Sequence, residues 1–330
     1  LAYTKIVLAP EVLASDLPDE EYLADRLVGY FPSRLRETYA DRMSEHRLRR
    51  EIITTVVVNR FVNAAGISCF HRLSSETGAG APDVIRAHIA ARAIYGVDDL
   101  DRRIRELDHQ VDAAVQTGLR IEVRTLVERA TRWLVNNRRR PVDIGAAVGQ
   151  LATGVQAVQA ALPRLLSGRD AEALASRLKG YRSAKVPEDL AQAVAALSPA
   201  YAALTIVQTA EREGADLGNV AEVHFALGQR LGLDRLLTRI IELPRDDRWQ
   251  TMARAALRDD LHTLHAALTA QVLSAEGAEK RTARELVTGW EKANPAVPET
   301  IRLLRAVTSS RTDLARASVG LRRVRALLPT

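Results

Sequence analysis

Glycine and proline cut this sequence into pieces of helix length and into little else. Proline marks boundaries at Pro18, Pro32, Pro163, Pro187, Pro199, Pro244 and Pro295, and glycine does so at Gly66, Gly96, Gly214 and Gly232. Proline suits the first turn of a helix and breaks its interior, while glycine accepts the left-handed conformation in which helices often end. Between the marks the chain is rich in alanine, 52 of its 330 residues, and alanine is the strongest helix former. Asp98 and Asp143 stand where side-chain N-caps are expected, and Pro163 is expected to stop the run that begins at Ile144. Signals for strands are nearly absent. The spacing predicts an all-α protein, a multi-helix bundle.

Two stretches test that reading. Residues 52–58, Ile-Ile-Thr-Thr-Val-Val-Val, are β-branched throughout and favour a strand locally. No glycine or proline interrupts the chain from Pro32 to Gly66, however, so one long helix with a buried middle is the better expectation, with a strand as the alternative. Residues 144–163 and 191–210 carry no charge at all. Gln150, Gln156 and Gln159 in the first window, and Ser198-Pro199 in the second, argue against membrane spans. Both windows are expected to be bundle helices whose small residues allow close approach. The helical pattern breaks near Pro163 to Asp170. This predicts a first lobe over 46–165 and a second lobe over 166–330, both within one helical domain.

The net charge of +6 says less than it suggests. Residues 301–330 hold seven arginines and one aspartate, so the rest of the chain is balanced. With aromatics at 4% there is little to stack on bases, and no nucleic-acid partner is expected. The single cysteine, Cys69, excludes an internal disulfide framework and points to a reducing, cytoplasmic setting. The opening residues lack a basic stretch followed by an apolar core, so no signal peptide is expected there. The chain begins at Leu1 and reads as part of something longer.

Candidate chemistry is sparse. Gly78-Ala-Gly80-Ala-Pro82-Asp83 has aspartate where a dinucleotide loop needs its third glycine, and reads as a turn between helices. Asp259, His262 and His265 have a spacing that suggests a metal clip, but six residues of helix splay the outer pair. Cys69 and His71 point apart on a helix. Thr55, Asn59, Asn63 and Gly66 form a polar stripe on an apolar helix, either an inter-helix seam or a ligand pocket. Arg129, Arg132, Arg138, Arg139 and Arg140 flank Trp133, which is read as a core anchor with arginines reaching outward. No catalytic, cofactor-binding or metal residue is assigned from these patterns.

Several short runs resemble the C-terminal region of the large NAD-dependent glutamate dehydrogenases. They are residues 1–8 (Leu-Ala-Tyr-Thr-Lys-Ile-Val-Leu), 14–19 (Ala-Ser-Asp-Leu-Pro-Asp), 30–32 (Tyr-Phe-Pro), 48–55 (Leu-Arg-Arg-Glu-Ile-Ile-Thr-Thr), 59–66, 76–78, 130–134, 226–234, 247–250 and 256–261. The resemblance implies an oxidoreductase that converts L-glutamate and NAD to 2-oxoglutarate, ammonia and NADH, in long chains that assemble as homo-oligomers. It further implies that the catalytic lysine and the NAD site lie upstream of Leu1, with residues 1–45 leading from that catalytic domain. Lys5, Lys179, Lys185, Lys280 and Lys292 stand outside any such motif. The expected role of these helices is support of the catalytic domain. A free-standing helical interaction module, binding a partner through the charge-free windows, is the alternative. Gly80 departs from the pattern, standing where a hydroxyl N-cap is expected. His262 departs too, at a position where an aromatic is common.

Overall fold

The computed structural model describes residues 1–275, 277–309 and 311–329, and no strand occurs among them. Residues 52–58 lie inside a helix. The chain divides into two compact units, 1–153 and 154–330, and the division falls within the helix Ile144–Leu165.

The first unit contains α1 (Ala2–Ala14), two 3-10 turns, α2 (Ala24–Tyr30), α3 (Ser33–Met43), α4 (Arg49–Ala65), α5 (Ile67–Thr77), α6 (Ala81–Ile94), α7 (Val97–Arg105), α8 (Ala113–Asn137) and the start of α9 (Ile144–Leu165). Its centre is α6, which lies along α8. Alanine, valine and isoleucine clothe α6, and it is buried on nearly every side from Ala81 to Ile94. The buried Arg86 ties it to the N-terminal segment, with Nη2 2.9 Å from Asp16 and Nε donating to Glu20 at 2.8 Å.

The expected long helix between Pro32 and Gly66 is two helices. The turn at 44–48 is closed by the Leu48 N–H donating to His46 Nδ1 at 3.1 Å. The start of α4 is pinned separately: Arg49 pairs with Asp19 at 2.7 Å, and Arg50 donates to the carbonyls of Leu13 and Ser15. At the other end α4 meets α5 at a 93° bend. Gly66 makes that bend at a φ of 85°, which side chains resist. Asp98 caps nothing. Gly96 begins α7, and Asp98 in the first turn pairs with Arg92 at 2.6 Å.

The second unit contains the rest of α9, then α10 (Gly168–Ser183), α11 (Glu188–Ala195), α12 (Leu197–Ala200), α13 (Ala202–Glu213), α14 (Leu217–Leu231), α15 (Leu233–Ile241), α16 (Arg248–Leu273), α17 (Ala283–Ala293), α18 (Val297–Thr308) and α19 (Leu314–Arg325). Its core gathers Leu227, Leu231, Leu236, Ile240, Leu268, Val297, Leu304 and Val324. Asp143 caps α9 through the Ala146 N–H at 2.8 Å. Pro163 lies inside α9, which runs on to Leu165. The charge-free window 144–163 buries one face (Leu151, Val155, Val158, Leu162) and turns Gln150 and Gln156 to solvent. Close approach is real at Gly154, where a Cβ would stand 2.7 Å from Val207 on α13. No single helix among the described residues is long and apolar enough to cross a membrane.

Candidate functional site

The first unit holds a cleft of about 530 Å³ between α4, α6, α7 and α8. Arg60, Arg92, Arg105, Arg120 and Arg124 line it, against Asp101 and Glu128. Arg92 is spoken for by Asp98 and Asp101, at 2.6 and 2.7 Å, and Arg60 reaches Asp98 at 3.2 Å. His88 forms part of the wall, with its ring edge-on to Phe61 at 5.0 Å between centroids. Both ring nitrogens of His88 are buried with no hydrogen-bond partner. Burial, helped by the charge of Arg92, pushes its pKa down to about 3, so the ring is neutral. Cys69 also lines the cleft. Burial and the charge of Glu128 raise its thiol to about 12, which removes it as a nucleophile at neutral pH.

The polar stripe is neither a buried seam nor a pocket of its own. The buried face of α4 carries Ile53, Val57, Val58, Phe61, Val62 and Ala65, which leaves Thr55 and Asn63 exposed and Asn59 half-buried. Asn63 alone of the four lines the cleft. Gly66 serves the bend and not a close helix contact, since the nearest neighbour of a methyl added there would be Arg124 at 3.9 Å. Cys69 is buried and His71 exposed, as their spacing predicts.

Trp133 is buried, as expected of a core anchor. Arg138 lies 5.8 Å from its ring centre and donates to Gln150 at 2.7 Å, while Arg140 donates to the Thr77 carbonyl at 2.9 Å. Arg132 does not reach outward. It is buried and forms an ion pair with the equally buried Glu76 on α5. A buried charge is tolerated in this way when its partner is buried with it. Sequence reading missed Arg86 and His88, although a cation and an imidazole inside Val84–Ala91 were the available signal.

The glycine turn at 78–83 is a junction of helices. Gly78 ends α5 in the left-handed region, and Gly80 precedes α6. The missing hydroxyl cap is supplied from elsewhere: Glu11 on α1 accepts from the Ala81 N–H at 2.9 Å. A carboxylate of the chain itself thus occupies the place a phosphate would take.

The histidines of α16 belong to a packing network. Among the described residues no group of histidine, cysteine and carboxylate side chains is placed to hold a metal ion. His262 packs edge-on against Tyr201 at 4.8 Å. His265 stacks on His224 at 3.6 Å between centroids, and its Nε2 donates to the His224 carbonyl at 2.8 Å. Thr269 gives its hydroxyl proton to the His265 carbonyl, so His224 Nδ1 must be the donor in its 3.2 Å contact with that hydroxyl. Burial holds His224 well below the usual histidine range and His265 at about 4. Gly228, one turn beyond His224, gives the stack its room: a Cβ there would lie 2.9 Å from the His265 ring.

Comparison with known proteins places the chain in a family. The family described as "Glutamate dehydrogenase, C-terminal" matches residues 1–326. The NAD-specific glutamate dehydrogenase of Mycobacterium tuberculosis is 36% identical over 332 residues, covering 100% of this chain and 20% of that protein. Its counterpart in Pseudomonas aeruginosa is 35% identical over 321 residues, covering 97% of this chain and 20% of the relative. That of Halomonas elongata is 35% identical over 290 residues, with 88% and 18% covered. The chain therefore spans about a fifth of the length of these relatives. It belongs to the glutamate dehydrogenase C-terminal family.

Proposed function

We propose that this member of the family is the helical support of a large NAD-dependent glutamate dehydrogenase, which converts L-glutamate and NAD to 2-oxoglutarate, ammonia and NADH. The observation that carries the reading is the match itself. It runs over residues 1–326 to a family defined by the C-terminal part of such enzymes, and spans a fifth of relatives that are NAD-specific. In this reading NAD and the hydride transfer belong to polypeptide outside residues 1–330. The helices brace the neighbouring nucleotide domain, whose closure gates turnover.

Support comes from where large apolar side chains stay uncovered. Most lie in residues 1–48, with Tyr3 at 79% and Ile6 at 70% exposure on α1, followed by Tyr30, Leu35 and Tyr39. Faces of this kind are usually interaction surfaces, and the chain's own catalytic domain or a second subunit is the expected occupant. The one cysteine fits a cytoplasmic enzyme.

The test is an assay of the 330-residue chain alone. Circular dichroism should report a helical fold, while L-glutamate and NAD should give no rise in NADH absorbance. Steady turnover by this chain would overturn the assignment.

A further inference from the structure

The second unit contains a cleft of its own, of about 740 Å³. Its floor is apolar, formed by Leu231, Val287, Ile301 and Leu304, and its rim is basic. Arg230 on that rim is already engaged, its Nε donating to Glu291 at 2.7 Å. That pairing also holds the Glu291 carboxyl below its usual range. Glu291 is the one acid among the described lining residues.

Three further guanidiniums share the cleft without a carboxylate partner among the described residues: Arg235 on α15, Arg284 on α17 and Arg305 on α18. Arg235 folds back across Gly232, with its Nε 3.6 Å from the point a Cβ would occupy. That Nε is buried and has no acceptor. A buried N–H of this kind is a standing demand for a partner. Arg305 is also one of the seven arginines in residues 301–330 that charge counting left without a role.

We propose that this cleft binds a phosphate monoester, with the phosphoryl group on Arg235, Arg284 and Arg305 and the organic body on the apolar floor. The proposal goes beyond the dehydrogenase reading and stands without it. The chemistry follows from the donors. A planar carboxylate is satisfied by one bidentate guanidinium fork, whereas a tetrahedral phosphate offers oxygens in several directions. Guanidiniums carried by three different helices suit the second shape. The charges fit as well: four arginines less Glu291 leave three positive charges, which a dianion largely offsets. The volume lies in the range of small-molecule sites, roughly 300–1,000 Å³, and the apolar floor is typical of them. None of the described lining residues is aromatic, so among them stacked bases of a nucleic-acid strand have no platform.

The experiment is titration calorimetry on the 330-residue chain at physiological salt, with phenyl phosphate, inorganic phosphate, benzoate and a single-stranded oligonucleotide. Phenyl phosphate should bind saturably at one site, about tenfold or more tighter than inorganic phosphate, which lacks the apolar body, and than benzoate, which lacks the phosphoryl group. Arg284→Gln and Arg305→Gln, both at exposed positions and so compatible with folding, should each weaken it about tenfold. Arg164→Gln, exposed on α9 and outside both clefts, should leave it unchanged. Absence of saturation at millimolar phenyl phosphate would overturn the proposal. So would equal affinity for benzoate, indifference to the Arg284 and Arg305 substitutions, or binding confined to the oligonucleotide.

Discussion

A single methylene has opposite consequences at two glycines. Gly118 sits inside α8 with nothing within 4 Å of a would-be Cβ. Gly118→Ala should raise stability by about 0.5–1 kcal/mol, the propensity gain of alanine over glycine. Gly228 is helical too, in the last turn of α14, yet its methyl would meet a ring locked by stacking and by a hydrogen bond to the His224 carbonyl. Gly228→Ala should cost about 1–3 kcal/mol despite the better propensity; denaturant melts of the two variants check the signs. The same histidines set a pH response. His265 is held at about 4 in the fold against an ordinary 6.5, so between these values the unfolded chain binds the extra proton. Stability from this group is complete above pH 6.5 and falls as the pH drops toward 4, by up to about 3 kcal/mol. His265→Gln, which can still donate to the carbonyl, should flatten that part of the curve relative to the parent while carboxylate titration remains.

At the scale of elements, α6 depends on groups from outside itself. Its first turn is capped by Glu11 of α1, and its middle is held by Asp16 and Glu20 through Arg86. The hydrogen bond to Arg86 holds Asp16 below the usual carboxylate range. Glu11→Ala should therefore cost about 1 kcal/mol, the ordinary value of a lost N-cap. In the parent, a side chain at Gly80 would collide with Glu11, whose Oε1 lies 2.5 Å from the Cβ position. Gly80→Ser should hence destabilise the parent and rescue Glu11→Ala, and thermal melts of the double-mutant cycle would read this coupling. The short runs that carry the family resemblance meet in the same manner. Residues 14–19 face Arg49 and Arg50, and Glu76 faces Arg132.

At the scale of the whole molecule, the uncovered apolar side chains of residues 1–48 bear on the proposed role. Tyr3→Ser combined with Ile6→Ser changes residues that are mostly exposed in this chain. Its helicity and melting temperature should stay within error of the parent. In a longer enzyme that includes the chain, the same pair should lower turnover or loosen assembly; unchanged kinetics and size by light scattering would argue against a brace working through α1.

Sequence alone determined the class of fold, because glycine, proline and alanine act locally and their spacing admits helices and little else. It also marked Trp133 as interior, since large apolar groups leave water wherever the chain allows. Which polar groups went inside was settled only by tertiary contact. Arg86, Arg132 and Glu76 are buried because partners far along the chain reached them, and His88 and His224 because neighbouring helices closed over them. The break at 44–48, the exposure of Thr55 and Asn63, and the gathering of Arg235, Arg284 and Arg305 around one cleft are of the same kind. Burial of a charge depends on what stands opposite it, and the helix that stands opposite is chosen by packing.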